Sequence, residues 1–282
     1  MSNTLDEVRD KQRETWNKFS GGWKRWDEFV MQFLRPVGEE LIKAVHLKEN
    51  SVVLDVATGT GEPGLTAASI AKKGKVIATD LAEDMIAVAN ENAQARKLSN
   101  FSTKVCDAGA MPFSDEYFDA VLVRMGFMFF PDTNQCAKEI FRVLKKGGRV
   151  SASVWAAPEK NPWATTIIGT VNKMAGVEPP PPDTPGLFRC AKIGMMKDVF
   201  EKAGLKNVSE KEIIGTRDFD NPQQYWDFMI SIAAPVVAVL NKADESFQKQ
   251  IKETVLDITA KNFSSGGRIS FPWTAAIITG EK

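Results

Sequence analysis

The chain predicts an α/β fold: a doubly wound, mostly parallel sheet with helices on both faces. Three observations carry that prediction. From Ser51 to Trp155, short apolar runs alternate with helical stretches, the pattern of strand–helix–strand crossovers. The first run, VVLDV, leads into Gly59-Thr60-Gly61, with Gly64 three residues on and a helical pattern behind it. Glycines there let a ligand approach the backbone, and the unpaired N–H groups of the helix start carry partial positive charge. About 20 residues later the run KVIATD ends on Asp80, placed to accept hydrogen bonds from ribose hydroxyls. Together these form a unit suited to a nucleoside-containing cofactor.

Taken in order, residues 4–45 read as helical. Trp16, Phe19, Trp23, Trp26, Phe29 and Phe33 recur mostly every three or four positions and so share a face. Gly21-Gly22 suggests a hinge between two helices, and Pro36 can start a further one through Leu41, Ile42 and Val45 to His46. His46, the single histidine, falls before the first strand, away from the glycine turn, and reads as structural. Strands are expected at 52–56, 75–80, 101–105, 118–124 and 148–155, with helices at 63–73, 82–97 and 134–145. Gly74 can close the first of these helices, and Glu83 and Asp84 suit the first turn of the second. The motif residues then share the carboxyl edge of the sheet, where ligands bind in such folds.

After Trp155 the alternation breaks. Residues 156–190 hold NPW, a short helical stretch and PPPPDTPG, in which Pro179–Pro182 should be extended, a linker or loop before a partner motif. A helix near 192–203 and a strand near 205–216 follow. Asn221-Pro222 opens a helical insertion to about Phe263, and the last strand, about 268–278, makes seven. Pro272 fits an edge or a bulge there.

Composition bounds the function. The 282 residues are 43% hydrophobic and 26% charged with zero formal net charge, so electrostatics give no reason to expect nucleic acid or an anionic membrane as partner. The polar N-terminus is unlike a signal peptide, and the most apolar stretches, 120–131 and 230–240, are too short to span a bilayer. Cys106, Cys136 and Cys190 form no C-x-x-C and read as reduced thiols of a cytoplasmic protein with no metal site. Monomer and homodimer both stay open.

The cofactor is decided at Asp55. Gly59, Gly61 and Gly64 satisfy the dinucleotide pattern G-x-G-x-x-G. A carboxylate four residues upstream would oppose a pyrophosphate. It suits a cofactor with a cationic amino-acid end, such as S-adenosylmethionine, which carries an ammonium, a sulfonium and a ribose but no phosphate.

At this point a family comes into view. LDVATGTG resembles the first motif of the Rossmann-like, class I S-adenosylmethionine-dependent methyltransferases, and is most similar to the ubiquinone/menaquinone-biosynthesis branch (UbiE-like), where a small residue such as Ala57 often replaces the first glycine. ATDLAEDMI, CDAGAMPFSDEYFDAVLVRMGF and EIFRVLKKGGRVSASVW resemble the next segments in the family's order, over about residues 40–156. The resemblance implies that Asp55 meets the methionyl ammonium, that Ala57, Gly59, Thr60 and Gly61 shape the cradle, and that Asp80 holds the ribose. It further implies that Leu81 and Met85 pack on adenine, that Asp107 and Ala108 contact its edge, and that Arg124 and Met125 border the transferred methyl. Asp107 as a turn former and Met85 as plain core stay open. The resemblance also implies a final hairpin with the last strand antiparallel, and an N-terminal segment covering the cofactor, against which stands a helix simply packed on the sheet.

The remaining organisation follows: an N-terminal helical segment 1–45, a core of 46–220 and 264–282 with a loop 156–190, and an insertion 221–263. The N-terminal helices, loop and insertion are expected to cap the carboxyl edge. Trp23, Trp26, Phe127, Phe129, Trp155, Trp163, Trp226 and Phe228 are candidate walls of an acceptor pocket. They would favour a small apolar or aromatic acceptor, or a cation held on ring faces. The sulfonium carries its own activation, so catalysis is expected by alignment, with Tyr225 and Arg124 the weak candidates for a direct role. Arg124 pairs either with an acid on the acceptor or internally. A nicotinamide-dependent oxidoreductase and a non-catalytic S-adenosylmethionine-binding protein are the alternatives.

Overall fold

A computed structural model describes residues 4–181 and 183–282. Its sheet contains β1 (Val52–Val56), β2 (Lys75–Asp80), β3 (Phe101–Val105), β4 (Phe118–Arg124), β5 (Leu144–Trp155), β6 (Lys206–Phe219), β7 (Ser264–Ser265) and β8 (Arg268–Glu281). The order is β3-β2-β1-β4-β5-β8-β6, with the short β7 paired to β8. β1 to β5 pair in parallel; β8 runs antiparallel to both β5 and β6. The chain therefore builds leftward from β1 to β3, then returns to β4. The switch point lies between the carboxyl ends of β1 and β4, where such sheets bind ligands. Val53, Leu54, Ala120, Val121 and Leu122 are fully buried or nearly so, as central parallel strands require.

The helices are α1 (Leu5–Arg25), α2 (Asp27–Ala44), α3 (Gly64–Ile70), α4 (Glu83–Ala95), α5 (Thr133–Val143), α6 (Pro162–Ala175), α7 (Met195–Lys202), α8 (Pro222–Ile232), α9 (Ala234–Leu240) and α10 (Glu245–Phe263). α1 starts at a reciprocal cap: Glu7 N donates to Thr4 Oγ1 and Thr4 N to the Glu7 carboxylate. α6 packs on α9 and α10, α8 on α9 and α10, and α1 on α4 and α8. α2 lies on the sheet, against β4, β5, β6 and β8. Among the described residues no helix is long and apolar enough to cross a membrane.

Several local expectations are corrected. Gly21-Gly22 is no hinge: α1 runs through it, and the break comes at Trp26. Gly22 instead admits the Ser231 carbonyl of α8, which a Cβ would meet at 1.9 Å. Pro36 sits inside α2 rather than starting a helix. It forfeits one backbone bond, while the stripe Val30, Phe33, Leu34, Val37 and Leu41 is buried and holds the helix through its packing. Gly74 does not cap α3, which ends at Ile70. Its missing side chain lets the Ser51 carbonyl approach to a point 2.0 Å from where a Cβ would be. β5 begins at Leu144, earlier than expected, and the helix within 156–190 is a full 14 residues. Pro179 to Pro181 carry no regular structure; Pro182 lies outside the described residues.

Candidate active site at the switch point

The glycine turn is organised by Asp55. This side chain is fully buried at the end of β1. Its Oδ2 accepts from Thr58 Oγ1 at 2.5 Å and from Gly64 N at 2.9 Å. Gly64 makes that possible, since a Cβ there would stand 2.7 Å from Oδ2. The other oxygen, Oδ1, is buried with no partner. Burial pushes the Asp55 carboxyl up to about 7, against the opposing pull of the Thr58 hydroxyl and the Arg124 charge. Ala57 takes a left-handed backbone, φ +54°, as do Gly59 at +57° and Gly61 at +115°. Met125, just past β4, is also left-handed, at φ +57°. The two turns touch: a Cβ on Gly126 would lie 3.0 Å from that of Ala57. Left-handed non-glycine residues cost about 1–3 kcal/mol each and concentrate at functional sites.

Asp80 ties this turn to the next helix. Its Oδ2 accepts from Gly59 N at 2.9 Å and its Oδ1 from Ala82 N at 3.0 Å. Burial pushes its carboxyl upward. Each oxygen keeps a second lone pair for a hydroxyl donor. A strand-end acid therefore has a structural use here as well as an open ligand face. Leu81 is half-buried and Met85 buried. Asp107 does form a turn, accepting from Gly109 N at 2.8 Å, and its other oxygen lies 3.8 Å from Arg9 on α1. Ala108 is half-buried beside it.

One further side chain at the turn, Asp27, carries no signal in the sequence, and it lies near the expected Arg124. Asp27, in the first turn of α2, accepts from Asn92 Nδ2 at 3.1 Å, and that amide also donates to the Thr60 carbonyl at 2.8 Å. Asp27 Oδ1 is buried without a partner, and burial pushes this carboxyl up. In the sequence Asp27 looks like any acid complementing a helix dipole. Arg124 places Nη1 3.5 Å from Met31 Sδ and makes no ion pair among the described residues. Burial lowers its pKa, and the charges of Glu62, Asp55 and Asp27 act in the opposite direction.

α1 lies across these loops. Asn17 donates to Glu83 at 3.0 Å and accepts from Asp84 N at 3.1 Å; Lys24 pairs with Glu91 at 2.5 Å. Trp16 meets Phe129 edge-on at 5.0 Å between ring centroids, and Trp23 at 5.9 Å. α1 thus bridges the segments after β2, β3 and β4, while α2 is the helix packed on the sheet.

The candidate aromatic walls divide. Trp26 packs on Phe29 and Phe228 at 5.2 and 5.5 Å, whereas Trp23 and Phe129 both pack on Trp16 of α1. Trp23 Nε1 and Trp26 Nε1 are buried without partners. Trp226 is buried on α8. Trp155 and Trp163 are corrected to core: they pack on each other at 5.0 Å and both pack on Phe33, while the Trp163 N–H is taken by Asn161. Phe127 is fully buried against Phe130 and Phe200. Tyr225 is corrected as well. It is fully buried, its hydroxyl donates to the Trp163 carbonyl at 2.8 Å, and burial pushes its pKa well up, so it is a structural strut.

Comparison with known proteins agrees with this geometry. Residues 47–176 match the family described as Methyltransferase domain. Demethylmenaquinone methyltransferase of Thermus thermophilus is 39% identical over 108 residues, 38% of this chain and 49% of that protein, so the chain spans about half the length of this relative. An uncharacterized protein of Mycobacterium tuberculosis is 26% identical over 268 residues, 92% of each chain. The crystal structure of a putative methyltransferase from Bacillus halodurans shares the fold, with a TM-score of 0.56 at 24% identity over 87% of this chain and 98% of that one. Residues 47–176 thus form a methyltransferase domain whose strand order and glycine turn with its upstream carboxylate are those of the Rossmann-like fold, similar over this cofactor-binding half to the S-adenosylmethionine-dependent demethylmenaquinone methyltransferases.

Proposed function

We propose that the chain methylates a small acceptor with an apolar or aromatic body, and that it does so by positioning rather than by general-base catalysis. One observation carries the reading. The turn presents two buried carboxylate oxygens without partners, Asp55 Oδ1 and Asp27 Oδ1. An unpaired buried carboxylate oxygen calls for a donor, and two of them suit an ammonium while repelling a pyrophosphate. The residues therefore fit S-adenosylmethionine. Asp55 and Asp27 would hold its ammonium, the backbone of Ala57 to Gly61 its methionyl end, and Asp80 its ribose hydroxyls. Leu81 and Met85 would flank adenine, Asp107 and Ala108 would meet its edge, and Arg124 and Met125 would border the reacting centre. When bound, the sulfonium supplies an activated methyl group for in-line displacement.

The protein's share is alignment and dryness. α1 covers the loops after β2, β3 and β4 and excludes water. Trp23, Trp26 and Phe129, the half-buried rings of the set, would supply apolar walls for the acceptor, with the buried Phe228 behind Trp26, under a cap of α1, α6, α8, α9 and α10. Tyr225 is tied to a backbone carbonyl, and His46 contacts Arg149, so neither serves as a base. An acceptor that is already nucleophilic fits best: an amine, a thiol or an activated ring carbon. Calorimetry with S-adenosylmethionine and, separately, NADH tests the donor half. Transfer of labelled methyl to a panel of amines, thiols, phenols and quinols tests the acceptor half. Binding of NADH in place of S-adenosylmethionine would refute the first. Turnover confined to acceptors that need a strong base would refute the second.

A further inference from the structure

Arg217 stands out once the turn is accounted for. It lies near the carboxyl end of β6, and β6 runs parallel to β5 because both are antiparallel to β8. It therefore shares the sheet edge with the cofactor site. It is 4% exposed. Its guanidinium sits 3.0 Å from the Phe29 ring centroid, 5.4 Å from Phe33 and Phe219, and 6.0 Å from Phe228. It makes no ion pair among the described residues, and Nε and Nη2 have no hydrogen-bond partner. Burial pulls its pKa down to about 9, which leaves it charged at neutral pH. Ring faces offset part of the cost of burying a cation, but they satisfy none of its N–H groups.

Which atoms are unpaired narrows the ligand. Nε–H and an Nη2–H point from one edge of the guanidinium, the edge that matches the two oxygens of a carboxylate. A third unpaired donor, Trp26 Nε1, belongs to a ring that packs on Phe29 and Phe228, two of the rings around Arg217. The unpartnered atoms of Arg217 and the Trp26 indole are donors, the rings around them are apolar, and no second cation is present among these residues. That composition suits a planar monoanion better than a phosphate dianion. From β4 to β6 is three strand steps, about 14 Å between axes at about 4.8 Å each.

We propose that Arg217 and the Trp26 indole N–H receive a carboxylate carried by the methyl acceptor, which is therefore an elongated, apolar acid. This rests on the methyl-transfer reading. The test uses calorimetry with 4-phenylbutyrate, its neutral amide and the corresponding phosphonate, on protein whose S-adenosylmethionine binding is measured first. The acid should bind at least tenfold more tightly than the amide. Arg217→Met should abolish that ratio while raising Tm, because an unpaired buried charge is removed; Trp26→Phe should lower it severalfold. Arg217→Lys, which keeps the charge without the fork, should retain only part of it. Equal binding of acid and amide, no binding of either at millimolar concentration, preference for the phosphonate, or Arg217→Met lowering Tm with the ratio intact would overturn the proposal. Failure to bind S-adenosylmethionine would instead overturn the methyl-transfer reading.

Discussion

Replacing Asp55 by Asn separates the stability of the site from its use. The carboxyl is fully buried, and burial lifts its pKa from 3.8 to about 7. A raised carboxylate pKa means that the folded state holds a proton the unfolded state has released. Stability therefore falls as pH rises from about 4 to about 7 and is level above that. A rise from 3.8 to about 7 gives a penalty of about 4 kcal/mol at pH 8, and less than half of that at pH 5. Asn escapes the penalty, and its carbonyl can still accept from Thr58 and Gly64. Its amide, placed at the Oδ1 position, lacks an acceptor and costs about 1–3 kcal/mol. The variant should thus be about as stable as the parent at pH 5 and more stable by about 1–3 kcal/mol at pH 8. Urea unfolding between pH 5 and 8.5 measures this directly. S-adenosylmethionine should bind the parent more tightly as pH rises through about 7, and the variant more weakly and with that pH slope lost. A stability difference that does not change with pH would refute the reasoning, because the burial of the charge would then not be what sets it.

Asp80→Ala removes the acceptor of both Gly59 N and Ala82 N and should weaken S-adenosylmethionine binding by about 1–3 kcal/mol in calorimetry. Gly22→Ala places a methyl 1.9 Å from the Ser231 carbonyl and should destabilise by about 1–3 kcal/mol, with faster hydrogen exchange in α1 and α8, whereas Gly21→Ala meets nothing within 4 Å and should be neutral or stabilising by about 1 kcal/mol. Tyr225→Phe deletes the bond to the Trp163 carbonyl and should cost about 1 kcal/mol in urea unfolding while leaving kcat for methyl transfer in place.

The core was legible because its signals are local. β1 to β4 fall where the apolar runs place them, and Asp80 and the glycines stand at the expected edge, since a crossover unit writes its period, turn and cap into neighbouring residues. What failed to show was set by tertiary contact. Gly22 and Gly74 look like hinge and cap, yet each exists for a carbonyl from a distant segment. Pro36 looks like a helix start, but the buried stripe around it decides the matter. Trp155 and Trp163 look like Trp26 in sequence, and only packing separates core from seam. Asp27 and Arg217 gave no warning because a charge on a helix or an edge strand is ordinary until the structure buries it without a partner.

The unpaired buried atoms of five residues at this edge differ in sign. On the β1 side they are acceptors, Asp27 Oδ1 and Asp55 Oδ1; on the α1–α2 seam and β6 they are donors, Trp23 Nε1, Trp26 Nε1 and the Arg217 edge. Separation by sign is what a cationic donor at one end and an anionic acceptor at the other would require. It would align the two electrostatically before any covalent change, with the apolar walls between them keeping water from screening that alignment. Catalysis by positioning then needs no dedicated base. On the proposed reading it would depend on the polarity of the whole edge, and removing charge at either end should impair orientation without altering the chemistry of the sulfonium.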